Sequence, residues 1–237
     1  MPDPESPPRP RATERPPSVV VVDDDSQIRA TFQLAFPSLD VVGAFPSIDA
    51  LLATRPSADL LVLDLHLAVP VADSSILQGP RAVKNVADKG WRTILYTDER
   101  RLLVLAHCLA AGAVGIVRKS DPLADNERMF ISAAEGKSVP LPRSFVGLAE
   151  LLSRRGQLPE LTQRQVEVLT ARARGTSWQA LAHRLDISPK TAYDHLEAVM
   201  AKLVWFLHDA GLPASASPAD VERALGLAPG DLCDPGF

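Results

Sequence analysis

Five side chains in this 237-residue sequence have the types and the placement to do chemistry together. Asp64 closes the stretch S-A-D-L-L-V-L-D, in which Leu60, Leu61, Val62 and Leu63 form an apolar run too short for a buried helix. That run reads as a buried strand that stops at a carboxylate. Asp23 and Asp24 follow the β-branched run 19–22, Thr97 follows the run 93–96, and Lys119 comes just after the run 114–117. In a parallel sheet these strand ends share one edge, so segments distant in sequence meet in one crevice. Clustered carboxylates repel one another and favour a hard cation. Mg²⁺ suits them because it keeps several waters and accepts one or two carboxylates. In such a crevice Asp64 can serve as nucleophile toward a phosphoryl group, Asp23 and Asp24 can hold Mg²⁺, and Thr97 and Lys119 can meet the phosphoryl oxygens.

The elements that must position these groups alternate regularly. Asp25 and Ser26 are good N-caps for a helix over 27–35, a second strand is expected over 41–45, and a helix over 47–54 carries Ile48, Leu51 and Leu52 on one face. After Asp64 a long connection runs to Gly79, a length that is usually functional, before a helix at 80–89. Helices are expected again at 99–111, closed by Gly112, and at 122–134. Five such strand–helix units imply a parallel sheet covered on both faces.

Length and apolar content (46%) allow two domains with real cores. The net charge of −4 excludes bulk basicity as a DNA signal, although residues 137–206 hold 10 basic against 6 acidic side chains. Cys108 and Cys233 match no metal spacing and suit a reducing compartment, with Cys108 expected in a helix core. The N-terminus lacks an apolar core and no run of about 18 apolar residues occurs, so a soluble, cytoplasmic protein without membrane contact is expected.

The expected organisation is a disordered tail over 1–17, with seven prolines, a first domain over 18–136, a linker over 137–157, a helical domain over 158–228 and a tail over 229–237. In the helical domain Thr162 caps a helix that Gly175 ends, Ser177 starts a helix over 178–185, and D-I-S-P is a tight turn after which Ser188 caps a long helix with Pro189 at its first position. Two helices joined by a tight turn place the second to enter a major groove. Ser188, Lys190 and Thr191 at its start suit phosphate contacts, and Tyr193, Asp194 and Glu197 stand one turn further in, where base edges would be read. The run V-W-F-L around Trp205 is apolar all round and must be covered. A stripe of Val221, Ala224 and Leu225 on a last short helix either covers it or forms a dimer seam.

The acid pair, the lone Asp64, Thr97 and Lys119, in that order, resemble the receiver domain of bacterial response regulators over about residues 18–135. The resemblance implies an α/β flavodoxin-like fold with a five-stranded parallel sheet in the order 2-1-3-4-5. It further implies Asp64 as the acceptor of a phosphoryl group from a histidine kinase or other phosphodonor. Mg²⁺ would be held by Asp23, Asp24, Asp64 and the backbone carbonyl of His66, with Thr97 as switch hydroxyl and Lys119 as the cation paired to the phosphoryl group. Two positions depart from the family. Ile116 stands where an aromatic is usual, and the loop after Asp64 lacks the Pro-Gly-x-Asp-Gly turn.

Residues 158–206 resemble the LuxR-type helix-turn-helix, through Leu161, Thr162, Glu167, Val168, Leu169, Gly175, Ala182, Leu185, Ile187, Ser188, Lys190, Thr191, His195, Lys202 and Leu203. This second resemblance implies a small all-α domain that follows the receiver and binds double-stranded promoter DNA. Its DNA-facing set would comprise Ser188, Lys190, Thr191, Tyr193, Asp194, His195, Glu197 and Lys202, with RNA polymerase as a further candidate partner. The segment is only net +1, so binding as a homodimer is expected to compensate. Together the two resemblances imply a phosphorylation-controlled transcription regulator and no enzyme; an aspartate-nucleophile phosphatase would need an acid where His66 stands. A phosphorylation-independent DNA-binding regulator and a signalling adaptor without DNA are the alternatives.

Overall fold

The computed structural model describes residues 15–66, 79–158, 160–213 and 216–232. The N-terminal unit alternates β1 (Ser18–Val22), α1 (Ser26–Ala35), β2 (Asp40–Phe45), α2 (Ile48–Thr54), β3 (Leu60–Leu63), α3 (Gly79–Asp88), β4 (Thr93–Thr97), α4 (Leu102–Ala110), β5 (Ala113–Arg118) and α5 (Leu123–Ala134). Its five strands are all parallel, in the order β2-β1-β3-β4-β5. The expected connection after His66 and most of the expected N-terminal tail lie outside the described residues, as does Cys233.

Successive strand residues point to opposite faces, and two cores result. Val19, Val21, Leu60, Val62, Ile94, Tyr96 and Val117 pack with Phe32 and Phe36 of α1 and Phe130 of α5. The rings of Phe32, Phe36, Tyr96 and Phe130 lie 4.6–6.0 Å apart, mostly edge to face, the arrangement ring quadrupoles favour. Val20, Val22, Leu61, Leu63, Leu95 and Ile116 face α2, α3 and α4 on the other side.

Most element ends fall within one or two residues of the sequence expectation. The start of α4 does not: expected at 99, it begins at Leu102. Glu99 accounts for the difference. Its N–H donates to Thr97 Oγ1 (3.2 Å) and its carboxylate accepts from the backbone N–H of Arg101 (2.8 Å), which turns the chain before a helix can form.

A larger correction concerns 137–157, expected as a linker. It contains α6 (Arg143–Arg154), which buries Phe145, Leu148, Ala149 and Leu152. These four recur at helical spacing and pack into the helical unit, against α7 (Gln163–Ala173) and α9 (Pro189–Asp209). The connecting segment is thereby reduced to residues around Gly136–Pro142, and even that is pinned. Val139 is buried so close to β5 that a Cβ on Gly115 would lie 2.8 Å from its side chain.

The helical unit continues with α8 (Trp178–Leu185) and α10 (Pro218–Ala224). Thr162, Ser177 and Ser188 cap their helices as expected, and Ser217 does the same for α10, each accepting from a backbone N–H three residues on. Asp186 takes the left-handed conformation (φ 52°) that ends α8 and makes the tight turn into α9. What covers the apolar end of α9 is α4 of the N-terminal unit, so one continuous core runs from the sheet through α4 into the helical unit. Val221 and Leu225 are buried within that same core.

If α6 is a packed element, Phe145→Ala should lower the unfolding free energy by about 3–5 kcal/mol in urea denaturation of the full chain, the usual cost of a buried aromatic. A change within about 0.5 kcal/mol, typical of a surface linker, would overturn the assignment.

Candidate functional site

Strand register assembles the crevice. Val22 pairs with Leu63, so Asp23 and Asp64 emerge side by side just past two adjacent central strands. Thr97 pairs with Arg118, which sets Lys119 beside them. This edge is also where the strand order reverses, between β1 and β3.

The expected groups come together. Lys119 Nζ donates to Asp23 Oδ2 at 2.8 Å and to Asp64 Oδ2 at 2.9 Å. Asp23 and Asp64 are 1% and 5% exposed, and two carboxylates this deeply buried are tolerable only beside a cation. Burial alone lowers the Lys119 pKa, but its hydrogen bonds to both acids and their charges outweigh that and raise it, so the ammonium stays charged. Burial is the main cause that raises Asp23. The second carboxylate oxygens are also engaged: Asp23 Oδ1 accepts the N–H of Asp25 (2.8 Å), and Asp64 Oδ1 that of Leu65 (2.7 Å).

Asp23, Asp24 and Asp64 each offer a carboxylate oxygen within 4.8 Å of the others. Three hard oxygen donors of this kind fit the chemistry of Mg²⁺.

Three members of the neighbourhood were not singled out from sequence by their side chains. The exposed His66 imidazole sits with Nδ1 3.4 Å from Thr97 Oγ1 and Nε2 3.5 Å from Glu99 Oε2. Glu99 is 6% exposed and holds Arg101 through a bidentate pair with contacts of 2.6–3.1 Å. D-E-R-R reads as a solvated helix start, and nothing in its spacing shows that Glu99 folds inward. Burial raises the Glu99 pKa, but the hydrogen bonds and charge of Arg101 prevail and hold it below its ordinary value.

On α9 the expected DNA-facing residues are distributed differently. Lys190 is paired with Asp194 (2.9 Å), and Ser188 Oγ is held at 2.8 Å by Thr191 Oγ1. Tyr193 and Glu197 hold Ser138 Oγ, at 3.3 and 2.8 Å. His195 is half-buried on the same helix. Lys202 faces away from this group: its Nζ donates to the Glu160 carbonyl (2.6 Å) and to Gln165 Oε1 (3.3 Å), fastening α9 to the start of α7. It is therefore a packing residue in this arrangement. Trp178 is half-buried, packed at a tilt against Tyr193 at 5.4 Å, and Trp205 is exposed.

Residues 159–205 match the luxR family of bacterial regulatory proteins. The chain is 28% identical over 190 residues to the transcriptional regulatory protein FixJ of Rhizobium meliloti, spanning 78% of this chain and 88% of that one. It is 27% identical over 189 residues to the transcriptional regulatory protein UhpA of Escherichia coli, spanning 78% and 91%. In fold it resembles RcsB of Salmonella enterica serovar Typhimurium, solved on promoter DNA with a phosphomimetic, at 21% identity and TM-score 0.51 over 89% of this chain and 98% of that one. Fold and site thus define a receiver domain followed by a helix-turn-helix domain, the architecture of a response regulator. Among the described residues no helix is long and apolar enough to cross a membrane.

The Glu99–Arg101 pair carries a pH signature. Because the folded-state pKa of Glu99 lies below its ordinary value of 4.5, the pair stabilises the fold above that value and the contribution is lost as pH falls through the folded pKa. Glu99→Gln should therefore lower the urea midpoint more near pH 7 than near pH 3. Equal losses at both would refute it.

Proposed function

We propose that this chain is a two-component transcription regulator in which Asp64 accepts a phosphoryl group and the helix-turn-helix binds promoter DNA as a homodimer. The observation that carries the reading is Lys119 Nζ bridging buried Asp23 and Asp64 at the strand-order reversal. The phosphodonor is a histidine kinase or another phosphorylated partner. The Asp64 carboxylate attacks the phosphorus and a P–O bond to Asp64 forms as the bond from phosphorus to the donor breaks; with a phosphohistidine donor that is the P–N bond, and the imidazole leaves with a proton from water. Lys119 then turns from Asp64 toward the phosphoryl oxygens, and the Thr97 hydroxyl meets one of them. Asp23, Asp24, Asp64 and the carbonyl of His66 would hold Mg²⁺, which supplies compensation of the carboxylate and phosphoryl charges. The receiver comprises 18–136 and the output domain α6 to α10. The protein acts in the cytoplasm and turns over no substrate.

On α9, Ser188, Lys190 and Thr191 would contact phosphates, and Tyr193, Asp194 and Glu197 would face base edges. Tyr193 and Glu197 are occupied by Ser138, and α4 holds the far end of the helix. Phosphorylation would release both holds and expose the helix to DNA. A second reading, DNA binding without phosphorylation, draws on Ile116, which is buried aliphatic where relatives of this type place a movable ring.

With Mg²⁺ and a small phosphodonor, wild type should shift on a phosphate-affinity gel and Asp64→Asn should not. Identical mobility of the two would end the phosphorylation reading. Genomic DNA selection with both proteins in parallel should enrich the same sites but more strongly for phosphorylated wild type. Equal enrichment would instead favour the phosphorylation-independent regulator.

A further inference from the structure

Between the domains lies a cavity of about 600 Å³, a size that suits a small organic ligand. Val114 of β5 and Met200 and Val204 of α9 give it an apolar wall, and Arg143, Arg172 and Glu197 give it a charged end. The charge there is two guanidinium groups against one carboxylate.

Arg172 is only partly satisfied where it stands. Its guanidinium lies 4.1 Å over the Trp178 ring, which in turn packs at a tilt against Tyr193. Nη1 donates to the Thr176 carbonyl, whereas Nε is buried with no hydrogen-bond partner. Burial first, and the neighbouring Arg143 charge second, hold Arg172 below the usual arginine range. Among the described residues neither guanidinium is ion-paired, and Glu197 is engaged by Ser138 instead. A half-buried guanidinium beside the exposed Arg143 charge costs stability, and an anion at that end would offset it. A planar guanidinium recognises a carboxylate best, and the apolar wall asks for a hydrophobic body beyond it.

We propose that this cavity binds an amphipathic monocarboxylate, its carboxylate at Arg172 and Arg143 and its apolar body against Val114, Met200 and Val204. A monoanion matches the excess of one positive charge; a second negative group would confront Glu197. The bound molecule would touch β5 and α9 at once and so favour the docked arrangement of the two domains. Binding itself does not depend on whether α9 reads DNA.

Isothermal titration of the full-length, unphosphorylated protein with octanoate and phenylacetate, alongside octanamide and phenylacetamide, tests this. Saturable one-to-one binding of at least one acid is expected, with its amide weaker by about tenfold or more, as loss of a charge-assisted hydrogen bond implies. Arg172→Gln should weaken the acid by a similar factor while keeping the wild-type melting curve. If that variant does not fold, the comparison of acid with amide on wild type decides alone. No saturable binding of either acid, an amide bound as tightly as its acid, or a folded Arg172→Gln that binds the acid like wild type would each overturn the proposal.

Discussion

Helix α4 is covered on two sides, and its sequence requires that most of its surface be kept from water. Its sequence, L-L-V-L-A-H-C-L-A, has a single polar side chain, His107, and buries Leu103, Val104, Leu105, Ala106 and Cys108. A helix apolar all round cannot present any face to water without penalty. The sheet covers one side through Leu95 and Ile116, and the last turns of α9 cover the other through Val204 and Leu207. At about 1.5–3 kcal/mol for each fully buried aliphatic side chain, a contact of this kind outweighs any of the surface ion pairs. His107 then spends its polarity within the contact, against His208 Nδ1 (3.3 Å) and the Leu212 carbonyl (3.0 Å). The burial environment is also what pushes the Cys108 thiol up to about 12, leaving it inert at neutral pH.

From that constraint follows the connection between the two ends of the molecule. Arg101 is the N-cap residue of α4, Glu99 grips Arg101, and the Glu99 N–H is held by the Thr97 hydroxyl. Thr97 in turn neighbours His66, two residues beyond Asp64. A hydroxyl drawn toward a charge at Asp64 would let go of Glu99, and the helix that anchors α9 begins at the residue Glu99 holds. These contacts are contiguous from the Asp64 neighbourhood to the start of the helix that packs on α9.

Much of this was legible in the sequence because period and punctuation are local. The four residues of β3 and the carboxylate after them, the caps Ser47, Ser177 and Ser188, and the shared edge of Asp23, Asp64, Thr97 and Lys119 all follow from short-range patterns. What escaped is long-range. Phe145, Leu148, Ala149 and Leu152 recur at helical spacing, but nothing in that spacing says that α7 and α9 receive them. The V-W-F-L run demanded a cover, yet its partner α4 lies about a hundred residues earlier, and pairing two apolar helices from one sequence is underdetermined. Glu99 and Arg172 are hidden from a sequence reading for a related reason. A charged or polar residue is counted as solvated until the fold closes over it, and burial is a property of the neighbours rather than of the residue.

The arrangement of charge on α9 completes the picture of how a modest change could control it. Of the basic residues expected at DNA, Lys190 is paired with Asp194 and Lys202 with the start of α7, so few cations remain to release counterions from a duplex. A single copy therefore gains little from DNA, and that gain competes with the α4–α9 core and with Ser138 on Tyr193 and Glu197. A bias at Asp64 has to offset the α4–α9 contact as well as the Ser138 bonds before α9 can meet DNA, and the fewer cations α9 offers the larger that bias must be. A strongly basic recognition helix would bind DNA whatever the receiver did. The near-neutral one found here makes the docked state competitive, and that competition is the property a regulated DNA-binding domain requires.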